Sequence, residues 1–229
     1  MTVEELEIPF EEGLPQGRNA LPALWMASSG SSARGSAVLL AHGAGGSMRS
    51  PFLETVAAGL AAGGLGVLRF NYPYRERALR AGKRMLPPDP PARLEASHRA
   101  ALAALEELAP GRRPLLAGKS LGGRIGTHLA AAGAPAAGLV LFGYPLHPAK
   151  RPEQGRSGHF GAIAQPALFL QGERDALGTP GELRRALETF GGSWELVPIE
   201  GGDHDFAVPK KLGPGRAEVL AWESRTFPA

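Results

Sequence analysis

A serine flanked by glycines two positions to either side occurs in "PLLAGKSLGG" (114–123), where Gly118, Ser120 and Gly122 follow a short apolar run. Two chemistries use such residues. A phosphate-binding loop also ends in Gly-Lys-Ser, but it needs the full pattern G-x-x-x-x-G-K-S/T, so that a glycine-rich loop can wrap its amides around the phosphate. The position that must hold the first glycine is Arg113, and the intervening "PLLA" has the character of a strand. The nucleotide reading fails. The alternative is a G-x-S-x-G turn, in which strained backbone lifts a serine hydroxyl above a sheet. Residues two before and two after the serine then lie too close to neighbouring backbone for a side chain, which Gly118 and Gly122 permit. The helical spacing of "RIGTHLAAA" after the turn completes the strand–turn–helix context.

A serine hydroxyl attacks only when a base takes its proton, and the base needs an orienting acid. In sheets that present a serine this way, the acid follows the serine in the chain and the histidine comes last. Of His42, His98, His128, His147, His159 and His204, only His204 lies beyond the candidate acid Asp175, which follows the run "ALFLQG". Asp203 and Asp205 flank His204 but rank below Asp175, because adjacent side chains diverge. An oxyanion hole requires two amides aimed at developing charge. Leu121 supplies one at a helix start, where the helix dipole assists. Ala44 in "HGAGGS" supplies the other, with Gly43 beside it in contact with substrate. Tyr72, Tyr144 and His147 follow strand-like runs and are candidate pocket residues, each with an alternative role in shaping a turn or making a structural hydrogen bond. Lys119 either holds the turn or faces an anion.

These residues need a scaffold. "AVLLAH" (37–42), "GVLRF" (66–70), "PLLAG" (114–118), "GLVLFG" (138–143), "ALFLQG" (167–172) and "WELVPI" (194–199) have the length and apolar character of buried strands. Helical spacing over about 51–62, 92–108, 120–132, 180–190 and 216–225 alternates with them. The expected architecture is α/β: a doubly wound, mostly parallel sheet with helices on both faces. "VEELEI" and "LPALWM" form an expected antiparallel N-terminal edge. Loops beyond the carboxyl ends of the strands carry the chemistry in such sheets. Neither repeats nor a linker divide the chain, so a single domain over 1–229 is expected.

At 229 residues and 43% hydrophobic content, the chain can bury a sizeable core. It has no cysteine, hence no disulfide, thiolate metal site or cysteine nucleophile. Neither an apolar run of membrane-spanning length nor a secretory leader is visible, so a cytoplasmic location with no membrane partner is expected. A net charge of +3 does not call for nucleic acid. Arg75, Arg77, Arg80, Lys83, Arg84 and Arg93 crowd residues 75–93 against only Glu76 and Asp89. That stretch is expected to be a solvated, proline-rich loop, with an anion-attracting rim as the sharper alternative.

Taken together, "HGAGGSMRSPF", "RFNYPY", "GKSLGGR", "FGYPLHP", "LQGERDALGT" and "GGDHDF" resemble the α/β-hydrolase superfamily over nearly all of the chain. More narrowly, the sequence is similar to the small bacterial dienelactone-hydrolase-like group, which includes relatives of a testis-expressed protein and of a chromatin-complex subunit. The resemblance implies an α/β-hydrolase fold with Ser120 as nucleophile, Asp175 as acid and His204 as base. True dienelactone hydrolases use a cysteine nucleophile, which is missing here, so their substrate does not carry over. Only about 22 residues separate "GLVLFG" from "ALFLQG", which leaves room for a minimal cap. The expected function is a serine hydrolase acting on an ester, thioester or amide of a small acid, with a small-molecule substrate and no metal or organic cofactor. A hydrolase-fold interaction module with little or no turnover is the alternative.

Overall fold

The computed structural model describes residues 2–28 and 35–209. The N-terminal runs form β1 (Val3–Pro9) and β2 (Ala20–Met26). There follow β3 (Ser36–Ala41), α1 (Pro51–Ala62), β4 (Gly66–Phe70), α2 (Pro73–Arg80), α3 (Pro91–Leu108), β5 (Arg113–Lys119) and α4 (Leu121–Ala131). The chain continues through β6 (Gly138–Phe142), β7 (Ala167–Gly172), α5 (Pro180–Leu187) and β8 (Trp194–Ile199). The helix expected at 216–225 lies outside the described residues. All eight strands join one sheet in the order β1-β2-β4-β3-β5-β6-β7-β8. The pairs β1–β2 and β2–β4 are antiparallel, and every other pair is parallel.

Strand side chains alternate between two apolar layers, as a pleated strand dictates. Leu39 and Ala41 of β3 face a cluster that includes Leu94 and Leu102 of α3 and Ile125 of α4. Val38 and Leu40 face the other side, against Phe52, Val56 and Ala61 of α1. Helices therefore cover both faces. Strand order reverses between β3 and β5, whose ends pair Ala41 with Gly118, and a crevice opens at such a reversal. Between β6 and β7, residues 143–166 contain only one short 3-10 turn, Phe160–Ala162, so the cap is minimal. Among the described residues, no helix is long and apolar enough to cross a membrane.

The basic stretch departs from its expected form. Residues 73–80 are helical, with Pro73 at the first position, where its missing N–H has no partner to lose. Arg77 and Arg93 are engaged by a buried carboxylate, whereas Arg80, Lys83 and Arg84 remain exposed. Asp89, nearly inaccessible, accepts from the Tyr74 amide at 2.8 Å, Arg77 at 2.6 Å and Arg93 at 2.9 Å. Arg75 donates to the Arg84 carbonyl at 2.7 Å, and Arg77 also donates to the Gly13 carbonyl. One buried carboxylate thus ties α2 to the start of α3. Sequence placed Asp89 in a solvated loop because the pairing joins residues on two separate elements.

His98 is fully buried on α3, with Nδ1 2.9 Å from the Tyr72 hydroxyl. His42 is equally buried: Nδ1 donates to the Gly43 carbonyl at 2.8 Å, and Nε2 accepts the Tyr72 amide at 3.2 Å. Burial pushes His42 down to about 4 and His98 down to about 3.

Both histidines are therefore neutral in the fold at pH 6, whereas the unfolded chain begins to protonate them near the ordinary histidine value. Stability from this source is complete above about pH 6.5 and falls as pH drops toward the folded values, by about 1.4 kcal/mol per pH unit for each histidine. Urea unfolding at pH 7 and pH 5 is expected to show that decline, and His98→Gln to flatten it. Identical slopes in the two proteins would refute the assignment. In the same assay Asp89→Ala is expected to lose about 2 kcal/mol, discounted from the value for a buried pair because its arginines are partly exposed.

Candidate active site

The strand-to-helix corner follows from close backbone approach. A Cβ on Gly118 would sit 2.4 Å from the Gly123 nitrogen, and one on Gly122 would sit 2.5 Å from the Ala41 carbonyl oxygen of β3. Both neighbours are main chain and cannot swing aside, so only glycine fits. Ser120 occupies the corner with φ at +51°, a conformation rarely adopted by a residue with a side chain. Its amide is tied to the Phe142 carbonyl at 2.9 Å, which fixes the corner against β6.

Ser120 Oγ lies 2.9 Å from His204 Nε2, and His204 Nδ1 lies 2.7 Å from Asp175 Oδ2. In the tautomer this network selects, Nδ1–H donates to the carboxylate and Nε2 accepts the serine hydroxyl. Asp175 is almost wholly buried and well satisfied. Its Oδ1 accepts the Leu177 amide at 2.8 Å, and its Oδ2 accepts Gln171 Nε2 at 2.9 Å. Asp203 is used differently: its Oδ1 accepts the amides of Asp205 and Ala207, both at 2.9 Å, which closes the turn around His204. Asp205 points to solvent and comes 3.6 Å from Lys119 Nζ. Asp175 is the carboxylate in hydrogen-bond contact with His204.

Above Ser120 is a partly open cleft of about 520 Å³, whose lining includes Gly43, Ala44, Ser50, Phe52, Lys119 and His204. The glycine-rich loop that forms one wall is anchored from beneath. Tyr74 donates to the Ala44 carbonyl at 3.0 Å, and His42 donates to the Gly43 carbonyl. Because C=O and N–H point oppositely in a trans peptide, an inward Gly43 carbonyl turns the Ala44 N–H toward the cleft. Leu121, at the first position of α4, carries an amide that the helix leaves free for another acceptor.

Three expected pocket residues lie elsewhere. Tyr72 is completely buried, with its hydroxyl on His98 and its ring 4.9 Å from that of Phe70. Tyr144 is buried against Phe160 and Phe169, with its amide on Gln171 Oε1 at 2.8 Å and its hydroxyl on the Arg156 carbonyl at 2.8 Å. His147 donates to the Pro148 carbonyl at 2.9 Å, while its amide binds the Leu177 carbonyl at 3.0 Å. Residues 144–147 thus brace the segment carrying Asp175 from behind. A place beyond a strand end puts a side chain near the site, but the turn at Gly143, with φ at +61°, decides whether it faces the cleft.

Sequence reading passed over Gln171. Gln171 is fully buried and, besides Asp175 and Tyr144, donates to the Gly178 carbonyl at 2.7 Å. Its signal was available: an amide in the otherwise apolar run "ALFLQG" must find partners once buried. Tyr74, which by its place after a strand could line the pocket or shape a turn, instead anchors the glycine loop, whose carbonyl lies some thirty residues earlier in the chain. Among the described residues, no group of three or more His, Cys, Asp or Glu side chains is placed to hold a metal ion.

The fold is shared with solved structures of low sequence identity. An alpha-beta serine hydrolase homologue from Coxiella burnetii superposes with a TM-score of 0.76 at 22% identity, covering 100% of this chain and 99% of that one. A dienelactone hydrolase from Anabaena variabilis gives 0.73 at 24% identity, covering 99% and 96%. The esterase domain of a Rhodothermus marinus protein gives 0.68 at 16% identity, covering 98% and 99%. A family model described as an alpha/beta hydrolase domain matches residues 34–227, most of the sequence. With that match added to the sheet order, the serine corner and the cleft above it, the chain belongs to the alpha/beta hydrolase family.

Proposed function

We propose that the protein is a serine hydrolase that cleaves an ester, thioester or amide of a small acid through an acyl-enzyme. The observation that carries this reading is the unbroken hydrogen-bond chain Asp175–His204–Ser120 at the floor of an accessible cleft. Esterase and serine hydrolase relatives of the same fold agree with it.

The residues divide the work as follows. His204 Nε2 takes the Ser120 proton as Oγ attacks the substrate carbonyl, and the new C–O bond leaves a negative oxygen on the tetrahedral carbon. The Ala44 and Leu121 amides stabilise that charge. Collapse of the intermediate breaks the bond to the leaving group, which departs with the proton held on His204. Water then enters, gives a proton to His204 and attacks the acyl-enzyme. The second collapse releases the acid and returns the proton to Ser120. Asp175 fixes the imidazole orientation and balances the imidazolium charge; Gln171 and the Leu177 amide hold its carboxylate in place.

The minimal cap and the open cleft favour short acyl groups. Phe52 and Leu53 at the start of α1 offer apolar contact for them, and the glycine loop sets the opposite wall. Substrate binding is assigned to Gly43 and the cleft wall, not to Tyr72, Tyr144 or His147.

Two measurements test the proposal. A fluorophosphonate probe is expected to label Ser120 stoichiometrically, and to spare Ser47 and Ser50, which have no histidine base. Ser120→Ala and His204→Ala are expected to abolish labelling and lower hydrolysis of an activated ester by about 10³-fold or more, with Asp175→Asn also severe and Asp203→Asn mild. A folded protein that stays unlabelled at pH 8 would favour the interaction-module reading. Among p-nitrophenyl esters, rates should fall as the acyl chain lengthens, and a preference for long-chain triglyceride emulsions would overturn the short-acyl assignment.

A further inference from the structure

Lys119 is the residue immediately before Ser120, and only 8% of its surface is exposed. A lysine so deeply placed needs partners for its ammonium. The contacts of its ammonium head with His204, Asp205 and Phe206 come from three consecutive residues of the turn that carries the histidine. Nζ donates to the His204 carbonyl, lies 3.6 Å from Asp205 Oδ1, and stands 5.4 Å from the centre of the Phe206 ring. Burial lowers the Lys119 pKa, and Asp205, Asp175 and Asp203 oppose that shift.

The turn itself requires holding. Phe206 sits at φ +59°, a left-handed conformation that a residue with a side chain rarely adopts. Its ring is wholly buried and packs 5.9 Å from Phe52. Beneath the contact lies Gly143, where a Cβ would come 3.1 Å from both Lys119 Nζ and the His204 carbonyl oxygen. Strand end, histidine turn and β6 end therefore meet at one point.

We infer that Lys119 is a positioning residue whose ammonium clips the His204–Phe206 turn to the strand end bearing Ser120, holding His204 Nε2 at hydrogen-bonding distance from the serine hydroxyl. The nucleophile and its base come from chain segments 84 positions apart, and Lys119 joins them by a bond from the residue next to Ser120 to the main-chain carbonyl of His204 itself. A hydrogen bond from a charged donor is stronger than a neutral one, which suits a clip between two strained corners. The alternative for a lysine beside the cleft is recognition of a substrate anion. Its head is instead occupied by the turn, with an exposed aspartate already on its ionic side.

The inference rests on the hydrolase proposal for its kinetic effect but not for its structural one, so the test reads both. Lys119→Met keeps an unbranched apolar stem one atom shorter than lysine and removes the side-chain donor. It is expected to lower kcat by roughly 10- to 100-fold while leaving KM within about twofold, equally for neutral and anionic esters. Without any substrate, amide hydrogen exchange across residues 203–207 is expected to speed up relative to wild type. The chain contains no cysteine, so Lys119→Cys introduces a single thiol. Alkylation with 2-bromoethylamine returns an ammonium at lysine's reach, and should restore both exchange protection and kcat. Alkylation with 1-bromopropane should restore neither, and the two adducts can be compared even if the methionine variant folds poorly. Unchanged exchange in Lys119→Met, or equal behaviour of the two adducts, would overturn the inference. So would a rise in KM confined to anionic esters with kcat preserved, which marks anion binding. Wild-type protein that fails to react with the fluorophosphonate would remove the hydrolase proposal alone, and the exchange comparison would still decide the role of Lys119.

Discussion

Main chain meeting main chain at the end of β5 is the constraint on which the rest of the structure depends. Gly122 lies against the Ala41 carbonyl of β3, and Gly118 against the amide of Gly123, at distances that exclude a Cβ. This contact forces the chain from strand to helix within one residue and leaves Ser120 in a strained conformation above the sheet. Because β3 and β5 are neighbours at the reversal of strand order, the same contact brings the glycine loop after β3 to the side of the serine. Such strain persists only where its surroundings over-determine the backbone. Here they include the Ser120 amide on Phe142 and the packing of α4 against the sheet.

Two buried polar networks then convert a crevice into a site. One lies under the glycine loop, where His42 and Tyr74 hold the carbonyls of Gly43 and Ala44. The other lies behind the acid, where Gln171 joins Asp175, Tyr144 and Gly178. Polar groups inside a low-dielectric core rigidify their surroundings when satisfied and are costly when they are not. Each network therefore holds backbone or carboxylate in one arrangement. The residues first expected to touch substrate, Tyr72, Tyr144 and His147, belong to these supports. Function depends on them through geometry, one layer below the cleft.

The basic stretch shows the same economy of position. Arg77 and Arg93, two members of what looks like a charged rim in sequence, converge on the single buried carboxylate of Asp89. The stretch became a helix because Pro73 pre-sets the first turn and Asp89 accepts the Tyr74 amide at that end. Charge patterning along a chain reports composition, but only contacts between α2, the following loop and α3 reveal which charges are neutralised. The +3 net charge is therefore a poor guide to any local field around the cleft.

The amino-acid sequence by itself determined the alternation of strands and helices, the serine corner, and the identities of Ser120, Asp175 and His204 as candidates. Each of these is written in local signals: runs of buried-strand length, glycines at fixed offsets, and the order of residue types along the chain. Even Asp175 was separable from Asp203 and Asp205, because neighbours of a histidine cannot readily fold back onto it. Tertiary structure alone decided the direction in which side chains beyond the strands point, the pairing of Asp89, the burial of His98 and the partners of Lys119. Those outcomes depend on contacts between residues far apart in the chain, where turn geometry at single positions such as Gly143 selects one face or the other. A short motif carries its own backbone geometry with it; a buried polar group acquires a role only when distant segments arrive to satisfy it.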